Sequence, residues 1–401
     1  MTAEHISEWP WRVVGQGAAA LAAGMGVGRF VYTSILPLMQ AHAGLSPRLG
    51  AQLATANYLG YLIGAVAAIL IPALLRSQRT LRLSLVILVG TLALMPVTRV
   101  GAFWFGLRLV AGIVSALIFV IAANAVLSGV RGNAHHQAGW AFGGIGVGIA
   151  LSGVLVLVMR TIGSWQEAWW WAAGLTAACT ALAWRLDPRS PNPPVTSTRP
   201  GHAVGSRWFT ALLASYSLEG VGYIIAGTFL VAAIDQSAPG WAGSGAWILV
   251  GVAALPSAAL WAWLSRTWSR PTLLLAALVV QAVGIALPVL AGPTVVALIS
   301  ALLFGATFLG VATLALAIGA QLRVRRAVAI LTTGYSTGQI IGPLAVAPLL
   351  HDGYRQALLF GAVLVALAAV AAAALRHRFP LDGDPPRHRV AAPARITPAG
   401  S

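Results

Sequence analysis

Apolar runs of about twenty residues follow one another along nearly the whole chain, and each is long enough for a helix to cross the ~30 Å hydrocarbon core of a bilayer. Inside lipid no water is present to bond a free N–H or C=O, so a run of this kind has to be helical or part of a closed barrel. Twelve such runs are read here, near 12–40, 49–75, 81–98, 101–128, 135–160, 166–185, 207–233, 243–265, 271–291, 294–321, 327–350 and 354–375. The third and fourth are divided only by Thr98-Arg99-Val100-Gly101. The expected fold is therefore an all-α membrane protein with twelve transmembrane helices. Of its residues 58% are hydrophobic and 8% charged, more apolar surface than a soluble chain of this length needs. Many of the 44 glycines fall inside the apolar runs, where they let helices approach closely.

The net charge of +16 raises the question of nucleic acid. All 25 basic residues are arginines, and they punctuate the apolar runs without forming a stripe, which argues against a nucleic-acid partner. Their placement sets the orientation instead. One set of loops holds Arg76, Arg79, Arg82, Arg131, Arg185, Arg189, Arg266, Arg270, Arg323, Arg325 and Arg326, whereas the opposite loops hold Arg48, Arg99, Arg160 and Arg355. The positive-inside rule then puts both termini in the cytoplasm of a bacterial inner membrane. The N-terminal run is too long for a signal sequence and is read as a retained first helix. The single Cys179 gives neither a disulfide framework nor a thiolate metal site, and no cofactor or metal is expected. No GxxxxGK[ST] loop is present, so neither ATP-driven transport nor an enzymatic activity is read from the chain.

A proline-rich stretch at 186–206, with Pro188, Pro191, Pro193, Pro194 and Pro200, divides the runs into six and six. The expected organisation is an N-terminal six-helix half at 1–185, a cytoplasmic linker at 186–206, a C-terminal half at 207–376 and a disordered cytoplasmic tail at 377–401. The halves match at a nearly constant shift. Gly26-x-Gly28 corresponds to Gly220-x-Gly222, Gly139-Trp140-x-x-Gly143 to Gly334-Tyr335-x-x-Gly338, and Gly112 to Gly305. Pseudo-symmetric six-helix halves with a site between them near mid-membrane are a transporter design.

Glu219 lies in the seventh run, within Tyr216-Ser217-Leu218-Glu219-Gly220-Val221-Gly222-Tyr223, and Arg29 lies in the first, within Gly26-Val27-Gly28-Arg29-Phe30. A charge at bilayer depth costs at least ~2.5–3.5 kcal/mol on insertion scales, so its presence points to an ion site, a proton relay or a substrate contact. At 1.5 Å per residue Glu219 lies ~18 Å and Arg29 ~25 Å from the cytoplasmic starts of their helices. Tyr216, Glu219 and Tyr223 share one helical face, as do Arg29 and Tyr32. Burial favours a neutral acid and a nearby cation favours its carboxylate, which is the property of a proton carrier. The alternative is an acid held statically by a hydroxyl or by Arg29. Arginine keeps its charge at working pH. Arg29 is thus an anion receptor, the counter-ion of Glu219, or a donor to backbone carbonyls at the Gly26-x-Gly28 weak point.

Over essentially its whole length the chain resembles the major facilitator superfamily. Arg108-Leu109-Val110-Ala111-Gly112 resembles that family's RxxxG motif of proton-coupled members, and Gly338-Gln339-x-x-Gly342-Pro343 resembles its eleventh-helix counterpart. Three stretches resemble the YbfB/YjiJ-type branch, namely Gly24 to Thr33, Ala56 to Gly64 and Leu218 to Tyr223. The loop Leu75-Arg76-Ser77-Gln78-Arg79-Thr80-Leu81-Arg82 lacks the acid of the superfamily's usual Asp-Arg pair. The resemblance implies that the first, fourth, seventh and tenth helices line the cavity. It makes Arg108 a proton-coupling residue beside Glu219, although Arg108 is also near enough to a helix end to snorkel. The expected substrate-binding residues are Arg29, Tyr32, Asn57, Tyr61, Asn124, Trp140, Tyr216, Tyr223, Tyr335 and Gln339. For the asparagines and Tyr61, bonding between helices is the competing role.

The reading is a monomeric, proton-coupled secondary transporter that moves a small organic anion or zwitterion through the lipid bilayer by alternating access. Proton-antiport efflux of lipophilic drugs and a non-transporting receptor or scaffold are the alternatives.

Overall fold

The computed structural model of the chain describes residues 8–129, 135–188, 206–238, 240–290, 294–322, 324 and 326–376. Most of the expected linker and the whole expected tail lie outside the described residues. Among the described residues the chain is helical, without strands. The helices are α1 (Glu8–Leu21), α2 (Val31–His42), α3 (Pro47–Leu70), α4 (Gln78–Leu94), α5 (Gly101–Gly129), α6 (His135–Ile162) and α7 (Trp165–Ala183). After the linker come α8 (Ser206–Ser237), α9 (Ala242–Leu264), α10 (Arg270–Leu290), α11 (Thr294–Gln321), α12 (Ala327–Val346) and α13 (Arg355–Leu375).

Helix ends are set by local chemistry at the short loops. Ser46 accepts from Leu49 N ahead of Pro47 at the start of α3, and Ser77 caps α4 in the same way. Ser164 and Glu167 close a reciprocal capping box on α7, which bonds two N–H groups that the first turn cannot satisfy. The Thr98–Val100 break between α4 and α5 falls where the sequence places it. The first expected span is different: α1 and α2 are separate helices joined by a π-helical turn at Ala22–Val27.

Ten helical stretches are long and apolar enough to cross a membrane, with Trp11–His42 counted as one. The helices in the sixth and eleventh expected positions, α7 and α12, are not among them. Helix α7 carries Gln166, Glu167 and four tryptophans, and α12 carries Thr332, Thr333, Ser336, Thr337 and Gln339. The distribution of polarity is inside out relative to a soluble protein. Leu70, Ile162, Leu182, Leu290 and Val370 are each more than 65% exposed, while Arg29, Asn57, Arg108, Glu219, Gln281 and Gln339 are buried. Such an apolar outer surface suits lipid tails and not water. The Trp169-Trp170-Trp171 cluster, of a composition that suits an interfacial aromatic belt, is split: Trp170 and Trp171 are exposed, but Trp169 is wholly buried and donates to Met39 Sδ at 3.4 Å.

Glycines set the interhelical distances. Gly143, Gly146 and Gly153 of α6 lie against the backbone of α9 at Leu255, Gly251 and Ile248. Gly338 and Gly342 of α12 do the same against α8 at Ser217 and Val221. Gly26 backs onto Gly148 of α6, and a Cβ there would lie 2.6 Å from Gly148 Cα. Backbone cannot swing aside as a side-chain end can. Gly26→Ala is therefore expected to destabilise by about 1–3 kcal/mol, the usual cost of overpacking. Gly90→Ala, where nothing lies within 4 Å, should be neutral or slightly stabilising. Thermal unfolding of the two variants in detergent compares them directly, and equal melting temperatures would contradict the packing argument.

Candidate functional site

The site begins with the interruption of the first crossing. Gly28 N bonds to Ala23 O at 2.8 Å and Phe30 N to Met25 O at 3.3 Å, five-residue spacings that widen the helix by one residue. Gly24, Gly26 and Gly28 leave little side-chain packing to resist this, and Ile145, Gly148 and Leu88 press closely on the segment. Thr33 N then turns to Phe30 O at 3.2 Å, so Arg29 O loses the partner it would have in a regular helix. Arg108 of α5 supplies the replacement. Its Nη2 donates to Arg29 O at 3.3 Å and its Nη1 to Gly28 O at 3.4 Å, with the guanidinium 4.7 Å from the Tyr32 ring centroid. Arg108 is 1% exposed, so it does not snorkel. In this structure it is a backbone donor that holds the break open.

The widened turn presents Arg29 to the interior. Its guanidinium carbon lies 4.6 Å from the Tyr61 ring, 4.8 Å from Tyr58 and 5.4 Å from Phe30, and Nη2 donates to Gln339 Oε1 of α12 at 2.7 Å. Nε is buried without a partner. The ion pair with Glu219 that the sequence left open is not formed, because neither carboxyl oxygen of Glu219 has a hydrogen-bond partner.

Glu219 is completely buried in α8. The Gln281 amide of α10 lies beside it without completing a hydrogen bond of good geometry. The expected stripe is present: Tyr216 and Tyr223 flank Glu219 and both are buried. Their rings join a set of nearly parallel aromatics. Tyr216 stacks on Tyr335 with centroids 4.4 Å apart and planes 13° apart, Tyr335 on Tyr223 at 5.7 Å and 14°, and Tyr223 on Phe308 at 5.9 Å and 9°.

The remaining expected residues divide. Tyr61 and Gln339 contact Arg29 directly. Tyr32 donates to Gly50 O at 2.8 Å, and Asn57 Nδ2 donates to Arg108 O at 3.1 Å, so both serve the scaffold around Arg108. Asn124 and Trp140 are exposed and take no part in the contacts around Arg29 or Glu219. Sequence reasoning passed over Tyr58, Gln281, Phe304 and Phe308. Gln281 had a signal, a lone amide in an otherwise apolar run, but it lies in a helix that the superfamily pattern does not assign to the cavity.

Glu219 is also not the only intrahelical acid. Asp235, two residues beyond the expected end of its span, falls inside α8 and pairs with Arg160 of α6 at 2.5 Å. At the same end of the helices Gln40 of α2 donates to Tyr354 Oη, and Tyr354 N donates to Gln236 Oε1 at 3.1 Å. Gly353, with φ of 109°, makes the turn that aims this N–H.

Residues 21–373 match a family model described as "Uncharacterised MFS-type transporter YbfB". No curated protein matches the chain. Among solved structures, a crystal structure of a point mutant of the nucleoside transporter NupG superposes with a TM-score of 0.70 over 90% of this chain and 100% of that one, at 13% identity. At that identity the likeness is one of fold.

The role of Arg108 is open to direct test. Arg108→Ala frees two buried carbonyls, each costing about 1–3 kcal/mol. The variant should melt well below wild type. Arg108→Lys, with a compact ammonium in place of a fork, should recover part of the stability. An Arg108→Ala protein as stable as wild type would leave the guanidinium without its assigned work.

Proposed function

Since the chain belongs to the YbfB-type family of MFS transporters, an integral membrane protein that moves small solutes, we propose that it works by proton-coupled alternating access. The observation that carries the coupling is Glu219: a carboxyl group with no exposed surface and no partner for either oxygen. A static acid in such a place would be bonded. One that gains and loses a proton as the surroundings change needs this freedom.

The moving parts are the six-helix halves 1–185 and 207–376, joined by the 186–206 linker, with both termini in the cytoplasm of a bacterial inner membrane and the monomer as the working unit. One contact supports this division. Thr33 Oγ1 donates to Gly227 O at 2.5 Å, and the two residues are 194 positions apart, the shift between the Gly26-x-Gly28 and Gly220-x-Gly222 motifs. Residues on a pseudo-two-fold axis meet their own counterparts in this way. The Arg160–Asp235 and Gln40–Tyr354 bonds then close the face opposite the termini.

The solute is an organic anion or zwitterion, because Arg29 offers a buried guanidinium that no carboxylate among the described residues neutralises. Glu219→Gln in proteoliposomes is expected to abolish accumulation driven by a pH gradient while leaving solute exchange. Gradient-driven accumulation at the wild-type rate in that variant would remove Glu219 from the mechanism.

A further inference from the structure

The Arg29 site is filled by a stand-in. Its Nη2 is bonded to the amide oxygen of Gln339, while Nε is buried with nothing to bond. The edge of a guanidinium presents parallel N–H groups that match the two oxygens of a carboxylate, and here one is taken by a single neutral oxygen from another helix. The rings of Tyr58, Tyr61 and Phe30 crowd the guanidinium within 5.4 Å, which leaves its N–H edge as the polar approach.

Gln339 also locates the neighbouring surface. Tyr335 lies one turn earlier on the same face of α12, about 6 Å along the axis. Its ring belongs to the near-parallel set formed with Tyr216 and Tyr223 of α8 and with Phe304 and Phe308 of α11. Tyr216, Tyr223, Phe304 and Phe308 are buried and Tyr335 is the half-buried member, so Tyr335 is the ring of this set that a flat solute ring would reach by stacking, and a puckered saturated ring would stack less well.

We propose that the transported solute is a planar aromatic carboxylate, which takes Arg29 by displacing the Gln339 amide and lays its ring on Tyr335. This rests on the transporter reading and refines its substrate. The exchange of a neutral acceptor for a charged one makes the displacement favourable, since bonds to ionised acceptors are roughly twice as strong. It also breaks a contact between Arg29, just ahead of α2, and α12 whenever the solute binds.

The test is thermal stabilisation and direct binding on the detergent-purified full chain, with benzoate, cinnamate and indole-3-acetate as probes and cyclohexanecarboxylate and benzamide as controls. At least one aromatic acid should raise the melting temperature in a concentration-dependent manner; benzamide, which lacks the charge, should bind at least about tenfold more weakly, and cyclohexanecarboxylate, which lacks the flat ring, at least about threefold more weakly. Gln339→Glu places a permanent carboxylate on Arg29 and should weaken the acid at least about tenfold. Gln339→Ala removes the competitor and should bind the acid as tightly as wild type or more so. Failure of all three acids, equal binding of cyclohexanecarboxylate, or loss of binding in Gln339→Ala overturns the proposal. Glu219→Gln separates the two readings: it should still bind the aromatic acid, so a failure of coupling and a failure of substrate assignment give different results.

Discussion

In a hydrocarbon medium each backbone carbonyl released from a helix has to find another donor, and the Arg108 guanidinium meets that requirement for Gly28 and Arg29. The rest of the site follows from it. With the two carbonyls bonded, the first crossing can widen into a π turn and resume as α2, and the widening turns Arg29 toward α12. A regular helix through the same residues would leave Arg108 buried with its donors unmet. The charge on α5 and the glycines of the first crossing therefore form one device. Asn57 extends it, since its amide bonds the Arg108 carbonyl and ties α3 to α5.

Around this device the packing is dense and mostly apolar. Glycine against backbone draws α6 onto α9 and α12 onto α8, and these contacts give the interior room for rings but little for ordered polar chains. The few polar side chains inside are thus set apart from one another. Arg29 finds an amide, Asn57 a carbonyl, and Glu219 only the Gln281 amide beside it, without a hydrogen bond of good geometry. Placing a cation and an acid in one interior without pairing them keeps each available to something that arrives from outside.

Much of the fold was legible because its signal is long. A run of apolar residues identifies a helix whatever its neighbours do, and even the short Thr98–Val100 break was visible. The stripe of Tyr216, Glu219 and Tyr223 was legible for a similar reason, since three- and four-residue spacing defines a helical face. What escaped depends on tertiary context. A one-residue widening at Ala22–Val27 leaves hydropathy unchanged, so the first crossing reads as a single helix. The backbone bonds of Arg108 reach carbonyls about eighty residues away, which no motif in the sequence announces. Asn124 and Trp140 had suitable chemistry in suitable helices and are exposed, apart from the contacts around Arg29 and Glu219. Asp235 was missed by two residues at a span end, the place where pattern reading is weakest.

The bonds at the far ends of α2, α6 and α8 carry an asymmetry. Gln40 is bonded to Tyr354, and Arg160 is paired with Asp235. Two clasps thus hold this face, one a neutral amide–phenol bond and one an ion pair whose side chains are 20% and 12% exposed. Dissolved ions screen the second and leave the first nearly untouched. The two clasps of this face are therefore unequal latches, and the ionic strength of the solution they meet bears on the ion pair alone.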